Sequence, residues 1–261
     1  MNKHNRATKS FLKKFRISKS FRKISEFLLF KFFSEIKVKK DNINFLVCKN
    51  NFQLRKILRD DWEKVMINLL ELGNENTLFL DIGANIGVIS CLLAKKIKLG
   101  IAFEPIPSSF LRCVKNININ NFENIIPLQI AASNNSQFIT CTNLKEALTN
   151  YPINLNSEEG VATAKRDGFV KTLSIKLDEL LPYIFEISPS NLLIKIDVEG
   201  YEEFVLEGAN QLLSLSLPII ICIEYSEESF LSISKKLSKF NFKRIIPPKG
   251  DDNKNIFFSN S

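Results

Sequence analysis

Four short apolar runs in this 261-residue chain each end on an acidic side chain, and that recurrence limits the fold more than any other feature. Leu78-Phe79-Leu80 leads into Asp81, Ile101-Ala102-Phe103 into Glu104, Leu192–Ile196 into Asp197, and Ile219–Ile223 into Glu224. Between and beyond them the spacing predicts helices over Val88–Lys96, Ser108–Asn120 and Tyr201–Leu215, and another strand over Ile125–Ile130. Apolar runs alternating with helices are the pattern of a mostly parallel, doubly wound α/β sheet of Rossmann-like type, covered on both faces. Ligands of such sheets bind beyond the carboxyl ends of the strands. One acid there is an ordinary helix cap; four on one edge mark a site.

Length and composition agree with one such domain plus appendages. Apolar residues make up 45% of the chain, enough to bury a real core. Five cysteines (Cys48, Cys91, Cys113, Cys141, Cys222) lack CxxC spacing, which points to reduced thiols and a cytoplasmic protein, not to a disulfide or zinc framework. The net charge of +8 is localised: residues 1–40 hold 13 Lys/Arg and two acids, and the rest holds 23 basic and 26 acidic residues. A nucleic-acid partner for the body is therefore not expected. The 1–40 segment interleaves its bases with seven phenylalanines, and Phe21, Ile24, Phe27 and Leu28 fall at helical spacing. It reads as a tail or amphipathic helix suited to peripheral contact with an anionic membrane, or to simple packing on the domain. Its longest apolar run, Phe27 to Phe33, is too short to span a bilayer. Residues 41–76 form a lead-in whose one clear element is a helix starting at Asp60-Asp61-Trp62-Glu63, with Val65, Met66, Leu69 and Leu70 on one face and a stop at Gly73. The catalytic body is residues 77–261, with the polar stretch 141–170 as an insertion over the active face.

The loop Asp81-Ile82-Gly83-Ala84-Asn85-Ile86-Gly87 narrows the ligand. Gly83 and Gly87 permit a tight turn and a close backbone approach, yet their spacing is GxxxG and not the GxGxxG of nicotinamide or flavin binders. A dinucleotide needs its pyrophosphate cradled at a helix N-terminus, and Asp81 at the loop entrance would repel it. S-adenosylmethionine carries an ammonium, a carboxylate and a sulfonium but no phosphate, and it suits an acidic entrance. Glu104 ends the second strand, where an acid accepts hydrogen bonds from ribose hydroxyls, and Pro105 is expected to leave that carboxylate exposed at the edge. Asp197 and Glu199 stand two apart around a third strand end, with Gly200 allowing the turn into a helix.

Taken together, Phe79 to Gly87, Ala102-Phe103-Glu104-Pro105, and Lys195-Ile196-Asp197-Val198-Glu199-Gly200 with its Val205-Leu206-Glu207-Gly208-Ala209 continuation resemble the FkbM family of methyltransferases. Leu177-Asp178-Glu179-Leu180 and the Glu224 strand end match the same order, so the resemblance covers about residues 77–225. It implies a class I methyltransferase sheet of seven strands, S-adenosylmethionine as cofactor, and O-methylation of a sugar or natural-product hydroxyl. Carried over, Asp81, Gly83, Asn85 and Gly87 line the methionine end and Glu104 holds the ribose. Asp197 and Glu199 then sit where donor and acceptor meet, with Lys195 and Glu224 on the acceptor side. Ala131-Ala132-Ser133 follows the third strand, so adenine must be read by backbone or by neighbours.

Missing parts limit the methylated atom. No Asn/Asp-Pro-Pro-aromatic string follows the fourth strand, no Pro-Cys pair exists, and the one histidine is His4. A base must come from Asp197, Glu199, Glu224 or Lys195. The expected acceptor is a small-molecule or glycan hydroxyl. Two other classes use the same features: a nicotinamide-dependent oxidoreductase or epimerase, and a non-catalytic protein acting on membrane or RNA through its tail.

Overall fold

The computed structural model describes residues 35–48, 64–143, 162–164, 170–250 and 254–261. The described chain begins with an antiparallel hairpin of β1 (Glu35–Lys40) and β2 (Ile43–Cys48). A central sheet follows, made of β3 (Thr77–Ile82), β4 (Leu99–Phe103), β5 (Ile125–Leu128), β10 (Asn191–Ile196), β11 (Ile219–Glu224), β12 (Lys243–Ile245) and β13 (Asn255–Ser259). Its seven strands lie in the order β12-β13-β11-β10-β3-β4-β5. β13 runs antiparallel to both its neighbours, and the other pairings are parallel. This is the mostly parallel, doubly wound sheet that the alternating pattern predicts. From β3 the chain moves outward to β4 and β5, then returns to β10 on the other side of β3. The gap between β3 and β10 is thus the point where the strand order reverses, and a doubly wound sheet binds its ligand there.

Alternation along each strand divides the core into two layers. Phe79 and Leu193 face one side, against α1 (Lys64–Leu72), α2 (Val88–Leu93) and α3 (Pro107–Asn118). Leu78, Leu80, Leu192, Ile194 and Ile196 face the other. That second layer is closed by a 3-10 turn (Leu177–Leu180), α4 (Leu181–Ile187), α5 (Glu202–Glu207), α6 (Asn210–Leu213) and α7 (Glu227–Ser238). Every residue of α2 is buried, so no face of this helix meets solvent. α3 starts with Pro107 in its first turn, where a missing N–H costs nothing.

Several local expectations are corrected. The strand expected to end at Asp81 runs one residue further, to Ile82, and Asp81 is 1% exposed. The helix expected over Tyr201–Leu215 is broken at Gly208, where the Ser133 backbone approaches so closely that a Cβ would stand 2.0 Å from its carbonyl oxygen. Asp178 holds the break: its N–H donates to the Gly208 carbonyl, and its Oδ1 accepts the Leu212 N–H at 2.9 Å. The last six residues of the 1–40 segment form β1 of the hairpin, not tail. Asp41 and Asn42 both have positive φ, as its two-residue turn requires. The hairpin docks through Ile43 and Phe45, and the Asn116 and Asn120 side chains accept the Leu46 and Asn44 N–H groups at 2.7 Å. Residues 1–34, with the basic, phenylalanine-rich part of the tail, lie outside the described residues, as do Asp60 to Glu63.

The polar stretch 141–170 is not without structure where it is described. A second sheet joins β6 (Ala131–Ala132), β7 (Gln137–Asn143), β8 (Ala162–Ala164) and β9 (Val170–Ile175), ordered β6-β9-β7-β8. Residues 144–161 and 165–169 lie outside the described residues.

Candidate active site

The loop after β3 is built by three positive-φ residues: Gly83 (φ 86), Asn85 (φ 52) and Gly87 (φ 76). Asparagine is among the few side chains that tolerate this region. The Gly83 and Ala84 N–H groups both donate to the Phe103 carbonyl, at 3.0 and 2.9 Å, which folds the loop over the end of β4. Gly83 also presses on the β10 loop: a Cβ there would lie 1.9 Å from the Asp197 carbonyl oxygen. At Gly87 a Cβ would meet Cys113 Sγ at 2.6 Å. Glycine is thus required twice for close approach, and at Gly83 the close approach joins the donor loop to the Asp197 loop.

Glu104 differs from expectation. It is 6% exposed, and its Oε2 and Oε1 accept the backbone N–H groups of Asn85 and Ile106 at 2.8 and 2.9 Å. It clasps the β3 and β4 loops together instead of standing free at the edge. Burial pushes its carboxyl up to about 7, against the pull of those two N–H groups and of Lys195. Each oxygen keeps a further lone pair for a ligand hydroxyl.

Lys195 sits opposite Asp81 in the β3–β10 register and is 4% exposed. Its Nζ lies 3.1 Å from Asp197 Oδ2 and 3.6 Å from Asp81 Oδ1, and donates to the Gly83 carbonyl at 3.3 Å. Burial opposes its charge, but the Asp197 and Asp81 carboxylates outweigh it and hold the ammonium above the usual lysine range. A lysine so held is no general base. Asp81 Oδ2 accepts from the Ser90 hydroxyl at 2.6 Å, whereas Oδ1 is buried with no hydrogen-bond partner.

Asp197, Glu199 and Glu224 do converge. All three are half-buried, and their carboxylate oxygens lie within 4.8 Å of one another. Burial, then the charge and hydrogen bond of Asp197, then the charge of Glu199 push Glu224 up to about 8, with Lys254 opposing. Carboxylates this close share a proton or face a cation. Glu199 itself is held at φ 56, followed by Gly200 at φ 95. A non-glycine residue there stores about 1–2 kcal/mol of strain, a feature found where function over-determines the backbone.

Sequence reasoning misses two residues of this site. Ser90, nine residues after Asp81 on α2, caps that carboxylate. Glu202 is buried at the start of α5, and its Oε1 accepts the Val198 and Gly200 N–H groups, both at 3.1 Å. It shapes the turn that presents Glu199. An acid two residues after a strand-end glycine is the pattern that could have shown it.

The residues fit S-adenosylmethionine. An acid-lined edge suits a sulfonium and an ammonium, and buried Asp81 Oδ1 has no hydrogen-bond partner. Glu104, with two N–H groups already bound, keeps lone pairs that suit a ribose hydroxyl.

Comparison with known proteins adds the family. Residues 81–244 match the methyltransferase FkbM domain. The chain is 33% identical over 153 residues to the hexuronic acid methyltransferase AglP of Haloferax volcanii, covering 58% of each chain. It thus spans somewhat over half the length of that relative. Among solved structures it is similar to Trm5b from Pyrococcus abyssi (15% identity, 87% of this chain and 55% of that one, TM-score 0.46). It is likewise similar to an FkbM methyltransferase from Methylobacillus flagellatus (15% identity, 72% and 43%, TM-score 0.45). The fold itself rests on the strand order and pairing of the sheet. With the motif strings, the site and a matched model over more than half its length, the chain belongs to the FkbM methyltransferase family.

Proposed function

We propose that this protein transfers the methyl group of S-adenosylmethionine to a hydroxyl of a sugar or polysaccharide. The observation that carries the reading is the contact of two loops: Gly83 of the donor loop lies against Asp197, which belongs to the three-carboxylate cluster. When bound, S-adenosylmethionine supplies an electrophilic methyl on a sulfonium. Gly83, Asn85 and Gly87 shape the surface for its methionine end, and Glu104 offers its spare lone pairs to the ribose. Asp197 and Glu199 accept hydrogen bonds from the acceptor hydroxyl and take its proton as the oxygen attacks. Glu224, protonated at neutral pH, donates a hydrogen bond instead and is not the base. Most of the acceleration comes from holding the oxygen in line with the methyl.

A sugar acceptor is supported by the relative named for acting on hexuronic acid. Carboxylate clusters also suit sugar hydroxyls, which are donors, and repel a uronic carboxylate. An ether-forming hydroxyl is therefore the favoured acceptor atom. The test is transfer of labelled methyl from S-adenosylmethionine to neutral and uronic oligosaccharides. Alkali-stable label, lost by about a hundredfold in Asp197→Asn, supports the reading. Alkali-labile ester label, or full turnover in both Asp197→Asn and Glu199→Gln, overturns it.

Among the described residues no helix is long and apolar enough to cross a membrane. We further propose that the basic tail gives peripheral contact with anionic lipid. Flotation of the full chain, but not of a chain lacking residues 1–34, with phosphatidylserine vesicles is the expected result. Equal flotation of both would refute it.

A further inference from the structure

Lys195 is a buried ammonium with three hydrogen-bond donors and three acceptors around it, drawn from three different parts of the site. Gly83 contributes the donor-loop carbonyl at 3.3 Å. Asp197 contributes the acceptor-side carboxylate at 3.1 Å. Asp81 contributes Oδ1 at 3.6 Å, which has no hydrogen-bond partner although it is fully enclosed. The ammonium therefore has a second place to go. Its closest carboxylate is the half-buried Asp197 at 3.1 Å, and the enclosed, unanswered Asp81 oxygen lies 3.6 Å away.

We propose that Lys195 is a positioning residue that couples the donor loop to the charge on Asp197. While Asp197 is ionised, it holds Nζ forward, against the Gly83 carbonyl. When Asp197 gains a proton from the acceptor hydroxyl, its attraction for Nζ falls and Asp81 Oδ1 becomes the stronger partner. The Gly83 carbonyl then loses or loosens its donor, and the loop that holds the methionine end relaxes as product forms. The proton passes from the acceptor oxygen to Asp197, and the ammonium keeps its own protons throughout. The coupling rests on the methyl-transfer reading, since Asp197 changes charge only if it serves as the base.

Calorimetric titration with S-adenosylhomocysteine tests the coupling without any acceptor. This probe has a neutral sulfur, so the sulfonium contact with Asp197 is removed, and comparing Asp197→Asn with and without Lys195 separates the part of its effect that travels through the lysine from any direct contact with the ligand's ammonium. Four proteins are compared: wild type, Asp197→Asn, Lys195→Met and the double variant. Because Lys195→Met leaves Asp81 buried without a counter-charge, the two Lys195→Met proteins are also made with Asp81→Asn, where the pair is neutral. Asp197→Asn is expected to change the dissociation constant by at least about threefold with Lys195 present, and not at all in the Lys195→Met background. A lysine that only stabilised the fold would lower the unfolding midpoint and leave the effect of Asp197→Asn unchanged. An equal effect of Asp197→Asn in both lysine and methionine backgrounds overturns the coupling. Failure of the wild type to bind S-adenosylhomocysteine would instead overturn the cofactor reading beneath it.

Discussion

The two halves of the active edge are built on opposite principles. On the donor side, at the ends of β3 and β4, acids are buried against the backbone and the core: Glu104 takes two backbone N–H groups, and Asp81 takes the Ser90 hydroxyl on one oxygen while the other has no hydrogen bond. On the acceptor side, at the ends of β10 and β11, three half-buried carboxylates crowd within 4.8 Å and one is pushed towards neutrality. The donor side is thus a cradle whose polar groups shape the backbone. The acceptor side instead crowds its carboxylates together, with Asp197 also paired to the Lys195 ammonium. A cofactor site can be prebuilt because its ligand does not vary, whereas proton transfer needs groups whose charge can change.

The sharpest way to break the contrast is at the seam. Gly83→Ala combines a positive φ with a 1.9 Å clash against the Asp197 carbonyl. It should destabilise by about 3 kcal/mol or more in urea unfolding and abolish S-adenosylhomocysteine binding. Near-normal binding would show that the donor loop is not rigid. Next in size, Asp197→Asn should lower turnover by about 10²- to 10⁴-fold while weakening S-adenosylhomocysteine by less than about tenfold. Comparable losses in both would mean the halves are not distinct.

Smaller effects refine the picture. Glu199→Gly relieves the left-handed backbone at φ 56 and should raise stability by up to about 1 kcal/mol while lowering turnover. A loss of stability would show that the Glu199 side chain supports the turn. Finally, Glu104 and Glu224 are raised in the folded state to about 7 and about 8, from ordinary values near 4.5. Their favourable contribution is complete below pH 4.5 and is lost as pH rises through 7 and 8. The unfolding midpoint should therefore fall between about pH 5 and pH 9, and less steeply in Glu224→Gln. A midpoint that rises over this range would contradict the crowded, partly protonated cluster.

The sheet was legible because parallel strands buried on both faces leave continuous apolar runs, as in Ile219–Ile223, and because Gly83 and Gly87 mark a turn by local chemistry alone. What escaped depends on partners far along the chain. Lys195 interrupts an apolar strand and reads as a site-facing cation, yet its burial follows from register with Asp81 and contact with Gly83, both far earlier in the chain. Glu104 reads as exposed because nothing local shows that the Asn85 N–H will turn towards it. Gly208 breaks a periodic helix because the Ser133 backbone approaches from another element. The hairpin at Asp41-Asn42 was hidden by the basic composition that merges residues 35–40 with the tail.

The most direct test of the prebuilt donor cradle is calorimetric titration of the double variant Asp197→Asn, Glu199→Gln with S-adenosylhomocysteine and with NAD. The expected result is S-adenosylhomocysteine binding within about tenfold of wild type, no NAD binding, and no methyl transfer. Loss of S-adenosylhomocysteine binding in this variant, or NAD binding by the wild type, would contradict the account.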